Sequence, residues 1–172
     1  MHLELATPDD LSALHALIES AYRGDSARAG WSHEADLLDG QRTDLEELGA
    51  MIADPARRLL LFRDGESLWA CVALTDKGDG LVYLGLLTVE PGRQRSGLGK
   101  MMLAAAEDHG ARELGARRIE MTVIIQRDEL IAWYQRRGYT MTGERRPFPL
   151  TDPRFGKPRR DDLEFVVVEK SL

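Results

Sequence analysis

Residues 89–100 read Val-Glu-Pro-Gly-Arg-Gln-Arg-Ser-Gly-Leu-Gly-Lys, a concentration of cations and glycines suited to holding a phosphate. An apolar run from Leu81 to Val89 leads into this segment and a helical pattern leads out of it. The first amides of a helix have no internal partners, and the helix dipole places about half a positive charge there. A phosphate at that point satisfies both. Gly97 and Gly99 carry no Cβ that would hold a ligand's oxygens off the backbone, and Arg93, Arg95 and Lys100 add side-chain charge. The plain alternative is a solvated basic turn, and the position between a strand and a helix speaks against it.

Spacing decides which phosphate binder this is. A P-loop needs Gly, four residues, then Gly-Lys-Ser/Thr. Gly92 and Gly97 have that spacing, but Leu98 stands where Lys is required; Gly99-Lys100 is followed by Met101 and has Gln94 in place of the first glycine. A dinucleotide fingerprint needs a third glycine three residues after the second, and that position is Met102. The pattern that fits is Gln-x-x-Gly-x-Gly over Gln94–Gly99, with a second segment downstream, Leu130-Ile131-Ala132-Trp133-Tyr134-Gln135-Arg136-Arg137-Gly138-Tyr139. In this order, with one helix and one strand between them, the two segments resemble the GNAT superfamily of acetyl-CoA-dependent N-acetyltransferases. The resemblance is good over residues 57–145 and otherwise one of general organisation.

That resemblance implies that acetyl-CoA is the co-substrate. Its pyrophosphate would lie on Gln94, Arg95, Ser96, Gly97, Leu98, Gly99 and Lys100, and its pantetheine arm along Leu87, Thr88 and Val89. A backbone amide near Leu87 would stabilise the oxyanion, and Tyr134 would be the acid that protonates the departing thiolate. The chain departs from the family pattern seven residues before Tyr134, where Arg127 replaces a frequent asparagine. Arginine donates but cannot accept, so Arg127 either contacts a cofactor phosphate or is a surface cation. A second departure is the strand ahead of the loop, which has no carboxylate until Glu90, where many family members carry a glutamate base.

Amine acetylation needs a proton removed from the amine, because at neutral pH only about one lysine-like amine in 2,500 is free base. Glu120 and Glu34 are the candidate bases, acting directly or through water, with a bulk-solvent route as the alternative. For the acceptor, Trp31, Glu34 and Arg42 stand out in the irregular segment 23–44. Trp31 would wall a pocket, Glu34 and Asp36 would attract a cationic amine, and Arg42 with Arg23 would suit an acceptor bearing a carboxylate. Phe148 and Phe155 would close the far side. A small-molecule amine and a peptide amine both remain open, and a non-catalytic acetyl-CoA-sensing or protein-binding module is the alternative function.

The elements that position these residues follow from periodicity. Residues 2–6 alternate as a strand, and Thr7-Pro8 opens a helix with its apolar stripe at Leu11, Leu14, Ile18 and Tyr22. Residues 23–44 are expected to be loop broken by a short helix around Glu34–Leu38, and 45–53 a further helix. Strands are expected over 57–62, 68–74, 81–89, 118–125, 139–144 and 163–169, with Asp64-Gly65 as a hairpin turn. Leu98, Met101, Met102 and Ala105 mark one face of the helix after the glycine loop; another helix covers 129–137 and stops at Gly138. The four-proline stretch 146–161 reads as a surface loop. The outcome is α/β: one domain over 1–172, a central mixed, mostly antiparallel sheet of about seven strands flanked by helices. The strand–helix–strand unit should cross over right-handedly, and the resemblance adds that this parallel pair splays at the cofactor cleft.

A length of 172 residues suits one domain, and 43% apolar with 30% charged residues is a globular composition. No apolar run approaches the ~20 residues of a membrane span, and Met1-His2-Leu3-Glu4 does not read as a secretory leader, so cytoplasmic location is expected. The single cysteine, Cys71, excludes an internal disulfide and is expected to be a buried structural residue. A net charge of −6 disfavours nucleic acid and acidic membranes as partners. The four histidines have no metal-ligand spacing, so no metal is expected. A homodimer is compatible with the family resemblance.

Overall fold

In the computed structural model, which describes residues 2–172, the chain runs β1 (His2–Leu5), α1 (Leu11–Tyr22), α2 (Gly24–Ala27), β2 (Leu38–Asp39), α3 (Leu45–Ala53), β3 (Arg57–Asp64), β4 (Ser67–Asp76), β5 (Leu81–Val89), α4 (Leu98–Glu113), β6 (Arg118–Ile124), α5 (Asp128–Gln135), β7 (Thr140–Pro147), β8 (Lys157–Pro158) and β9 (Glu164–Ser171). Met1, the first residue of the expected domain, lies outside the described residues. Seven strands form one sheet in the order β1-β3-β4-β5-β6-β9-β7. Every neighbouring pair in it is antiparallel except β5–β6. This is the mixed sheet expected from the sequence, including its one parallel pair. Among the described residues, no helix is long and apolar enough to cross a membrane.

Each face of the sheet buries its own apolar cluster. On one side α4 and α5 bring Leu98, Met102, Leu103, Ala106 and Ile131 against Leu84, Ile119, Met121 and Val168. On the other, α1 and α3 bring Leu14, Leu17, Ile18 and Leu48 against Leu59, Leu61, Cys71 and Leu86. The buried face of α4 is rotated from the expected one: Met101 is exposed, and Leu103 and Ala106 take its place beside Met102.

Two local features open the sheet along the second half of β5. The β5–β6 pairing holds only for Leu81↔Arg118, Val82↔Ile119 and Tyr83↔Glu120, after which the strands part. In the same stretch β5 carries a bulge against β4, with register moving from Cys71↔Thr88 to Ala73↔Gly85. Leu86 adopts φ 51°, a left-handed conformation uncommon for a leucine. Strain of this kind persists only where surrounding contacts hold it. Here the Thr88 hydroxyl donates to the Leu86 carbonyl at 2.8 Å.

The segment between α1 and α3 differs from expectation. Residues 34–38 make a single turn, with the Leu37 and Leu38 amides both donating to the Glu34 carbonyl at 2.9 Å. The helical turn of this region is α2. Leu38 is instead drawn into a strand, because β2 pairs with β8 and Leu38 is buried with Ile124, Phe148 and Leu163. The stretch 146–161 is accordingly an anchored cover rather than a free loop: it contains a 3-10 turn, Pro153–Phe155, and β8.

Candidate active site

Two cavities flank the parting of β5 and β6, and Tyr22 and Leu87 line both. The larger, about 530 Å³, runs between the β5 end, the glycine loop and α5. The smaller, about 200 Å³, lies over Tyr83, Gly85 and Thr122 beneath Arg42, Phe148 and Phe155.

The larger cavity is an anion cradle. Leu87, Thr88, Val89, Gln94, Arg95, Gly97, Gly99 and Lys100 border it, as do Arg136 and Arg137 from the α5 end. Against these four cations stands one acid, Glu129. Gly97 caps α4 at φ 90°, where a side chain would be strained, and the space its Cβ would take is open. The first turn of α4 holds no acid to neutralise the helix dipole. A phosphate-bearing ligand fits this lining.

Ser96 and Leu98 of the glycine segment do not line the cavity, and Gln94 lines it with its carboxamide already engaged. The Gln94 carboxamide oxygen accepts from the amides of Trp31 at 2.9 Å and Ser32 at 3.1 Å, so its side chain ties the 29–32 loop to the cradle. The Ser96 hydroxyl turns back to the Arg93 carbonyl at 2.6 Å, and the Leu98 side chain enters the core. Arg93 stacks over Trp69 at 3.6 Å. Trp31 borders the larger cavity rather than the smaller one, 6.3 Å from the Trp133 ring. Arg137 in turn stacks on Trp133 at 3.6 Å. The Arg136-Arg137 pair was visible in the α5 motif as adjacent charge, but only the fold turns it toward the cradle.

The smaller cavity is walled by arginines and aromatic rings. Arg23 Nη1 donates to Glu34 Oε2 at 2.6 Å, Arg127 Nη1 donates to Glu34 Oε1 at 3.2 Å, and Arg42 Nε lies 4.0 Å from Glu34 Oε2. Burial pushes the Glu34 carboxyl up, but Arg127, Arg42 and Arg23 outweigh it and hold the group below the usual glutamate value. A carboxylate so held is a poor proton acceptor, and one already surrounded by cations does not draw a cationic amine. Asp36 is exposed and paired with Arg28 at 2.8 Å. Glu120 does not line this cavity; Arg146 holds both its oxygens, at 3.2 and 3.3 Å. Arg127 belongs here rather than to the cradle, its second nitrogen donating to the Ser32 hydroxyl at 2.8 Å.

Tyr134, on α5, is part of the apolar cluster beneath that helix and lines the smaller cavity together with Leu86, Leu87, Thr122 and Val123. It is 5% exposed and packs edge-on against Tyr139 at 5.6 Å. No described residue hydrogen-bonds its hydroxyl. Burial raises its pKa above the ordinary tyrosine value, Tyr22 adds to the rise, and Arg127 opposes it. Tyr83 and Thr122 were not singled out as site residues from sequence, because the 2.8 Å contact of their hydroxyls spans 39 residues; Tyr22 is expected only as an apolar-stripe position and as the start of the 22–44 segment that would border the acceptor. Cys71 is fully buried, and burial pushes its thiol up to about 12. Among the described residues no cluster of three or more His, Cys, Asp or Glu has the makings of a metal site.

The sequence matches the acetyltransferase (GNAT) family over residues 13–139, and the chain belongs to that family. It is an N-acetyltransferase that uses acetyl-CoA. No curated protein is similar enough in sequence to count as a match. Solved structures share the fold at low identity. A ribosomal-protein-alanine N-acetyltransferase from Brucella melitensis is 15% identical, with a TM-score of 0.72 over 100% of both chains. A spermidine N-acetyltransferase mutant from Vibrio cholerae is 15% identical, with a TM-score of 0.69 over 99% of this chain and 95% of that one. A Salmonella typhimurium protein, solved with its cofactor acetyl-CoA, is 17% identical with a TM-score of 0.68 over 100% and 94%.

Proposed function

We propose that the described residues act as one cytoplasmic N-acetyltransferase domain in which a primary amine attacks acetyl-CoA directly and Tyr134 is the acid. The observation that carries the reading is Tyr134, a buried residue whose hydroxyl has no hydrogen-bond partner among the described residues and which lines the smaller cavity together with Leu86 and Leu87 of the β5 bulge. Acetyl-CoA supplies an activated acetyl thioester. Arg95, Lys100, Arg136 and the α4 amides would hold its phosphates, and the Leu87–Val89 edge its pantetheine arm.

The bulge removes Leu86 and Leu87 from the β4–β5 register, and β6 has already diverged. The Leu87 amide is therefore the donor assigned to the thioester oxygen as charge develops there. The C–N bond forms as the C–S bond breaks, the Tyr134 proton goes to sulfur, and one amine proton goes to water in the acceptor pocket. Arg127 favours the phenolate left behind, which water reprotonates. Glu34 and Glu120 are both engaged by arginine and are not assigned the base role. The cationic wall itself favours the neutral, attacking form of the amine.

Purified protein with acetyl-CoA and a panel of primary amines, followed by release of free thiol, tests the reading. Saturable, amine-dependent release is expected. Saturable CoA binding without turnover on any amine would overturn it in favour of a sensor.

A further inference from the structure

We infer that the acceptor is a small primary amine that also carries an oxyanionic group, carboxylate or phosphonate, and that Arg42 binds that group. The inference rests on the acetyl-transfer reading of this site. Three guanidinium groups and one carboxylate line the smaller cavity, which leaves the pocket cationic. Arg23 and Arg127 each place a nitrogen on Glu34, and both side chains are about nine-tenths buried. Arg42 is different. Its guanidinium makes no hydrogen bond to any described residue, approaches Glu34 only to 4.0 Å, and lies 5.2 Å from the centre of the Tyr22 ring.

The Arg42 side chain is nevertheless 25% exposed, so three-quarters of it has been withdrawn from water. A guanidinium brings five donors in a planar fork, and those of Arg42, with no hydrogen-bond partner among the described residues, are left facing the cavity for a ligand to meet. A carboxylate or phosphonate matches the fork with two parallel hydrogen bonds. The position is also built rather than incidental. The backbone amides of Arg42 and Thr43 both donate to Glu19 Oε1, at 2.7 and 2.9 Å, which fixes where the side chain starts. The remaining walls are largely apolar, with Phe148, Phe155 and Phe165 beside aliphatic side chains such as Leu38 and Met121, and the volume of about 200 Å³ suits a molecule of amino-acid size. A polyamine would bring further positive charge to a wall that already has a surplus.

The test compares leucine, its aminophosphonate analogue, 3-methylbutylamine and spermidine. All carry primary amines; the first three share a side chain and differ in the anionic group. Each is titrated calorimetrically into the protein with CoA bound, and each is assayed for acetylation at saturating acetyl-CoA. The anionic compounds are expected to bind about 10–100-fold more tightly than 3-methylbutylamine, the ratio of a charged hydrogen-bonded contact to none. Whichever of the two binds better names the anion. Arg42→Gln should bring that ratio close to one, and Arg42→Lys, which keeps the charge but not the fork, should leave an intermediate ratio even if the Gln variant fails to fold.

Equal or better binding of 3-methylbutylamine or spermidine would overturn the inference, as would a ratio that survives both substitutions. Absence of binding by all four would overturn it too. Anion-selective binding without acetylation would keep Arg42 as the anchor and refute the transfer reading; acetylation without anion selectivity would do the reverse.

Discussion

The Tyr22 hydroxyl, at the last residue of α1, donates a 3.0 Å hydrogen bond to the Leu87 carbonyl within the β5 bulge. Tyr22 thus joins the α1 side of the sheet to the backbone that faces the cofactor cleft, and the same two residues separate the cavities. Tyr22→Phe removes this bond and leaves a carbonyl unpaired. A net loss of about 1 kcal/mol is expected, or about 2–4 °C in Tm. If the bond also aligns the Leu87 amide, kcat falls about fivefold with little change in the KM for acetyl-CoA. An unchanged kcat in the folded variant would confine Tyr22 to stability.

Glu34 is the counter-ion of a buried cationic cluster, and its removal separates that role from catalysis. Glu34→Gln leaves Arg23, Arg42 and Arg127 facing one another in a largely dry place. Breaking a buried pair in this way costs about 3–5 kcal/mol, which a urea midpoint would register. The folded carboxyl titrates below the unfolded value of about 4.3. Its contribution is therefore complete above that pH and is lost as pH falls through the folded value. Below about pH 4.3 stability should fall less steeply with pH in the variant than in the parent. Full stability with a selective loss of kcat would instead restore Glu34 as a base.

The contrast between the two cavities shows where sequence information lies. The 87–100 part of the larger cavity's lining is nearly continuous in sequence and carries the Gln94–Gly99 spacing, whereas Trp31, Arg136 and Arg137 reach it only through the fold. The strand pattern likewise carried the β5–β6 pair, because apolar runs and turn residues are local signals. The smaller cavity is assembled from residues that include Tyr22, Arg42, Tyr83, Thr122, Arg127 and Phe155, which no spacing relates. Glu34 looked like an attractor for amines because its three arginines are between 8 and 93 positions away in the chain. The bulge was equally hidden, since it sets Leu86, not a glycine, at positive φ. β2 and β8 were missed because each is two residues long and its partner lies more than a hundred residues away.

The segment that covers the smaller cavity turns at Gly156. This residue sits at φ 93° and ψ −176°, a region essentially restricted to glycine. A Cβ there would lie 2.8 Å from the Asp39 carbonyl oxygen and 3.2 Å from Arg23 Nη2. Gly156→Ala is expected to cost about 1–3 kcal/mol and to push the Phe155 segment away from Arg23 and the β2 strand. The acceptor KM should rise while the acetyl-CoA KM stays close to that of the parent, because the cradle is built elsewhere. A matched rise in both constants would show that the cover does not act on the acceptor pocket alone.

Tyr134→Phe tests the acid most cleanly, because the hydroxyl has no hydrogen-bond partner among the described residues and its removal orphans nothing. Tm is expected to stay within about 1 °C of the parent, less than the 2–4 °C that 1 kcal/mol would produce at this size. Turnover is expected to fall about 10²–10⁴-fold, the usual contribution of a positioned acid, with little change in acetyl-CoA binding measured by calorimetry. The pH profile carries a second signature. Tyr134 acts while protonated, and burial holds its pKa above the ordinary tyrosine value of about 10. Its loss of activity with rising pH should therefore begin only above that value, and the parent's kcat should show no downward limb from this group between pH 8 and about 10. A variant that keeps the parent's kcat would remove Tyr134 from the chemistry and leave the thiolate to be protonated by solvent.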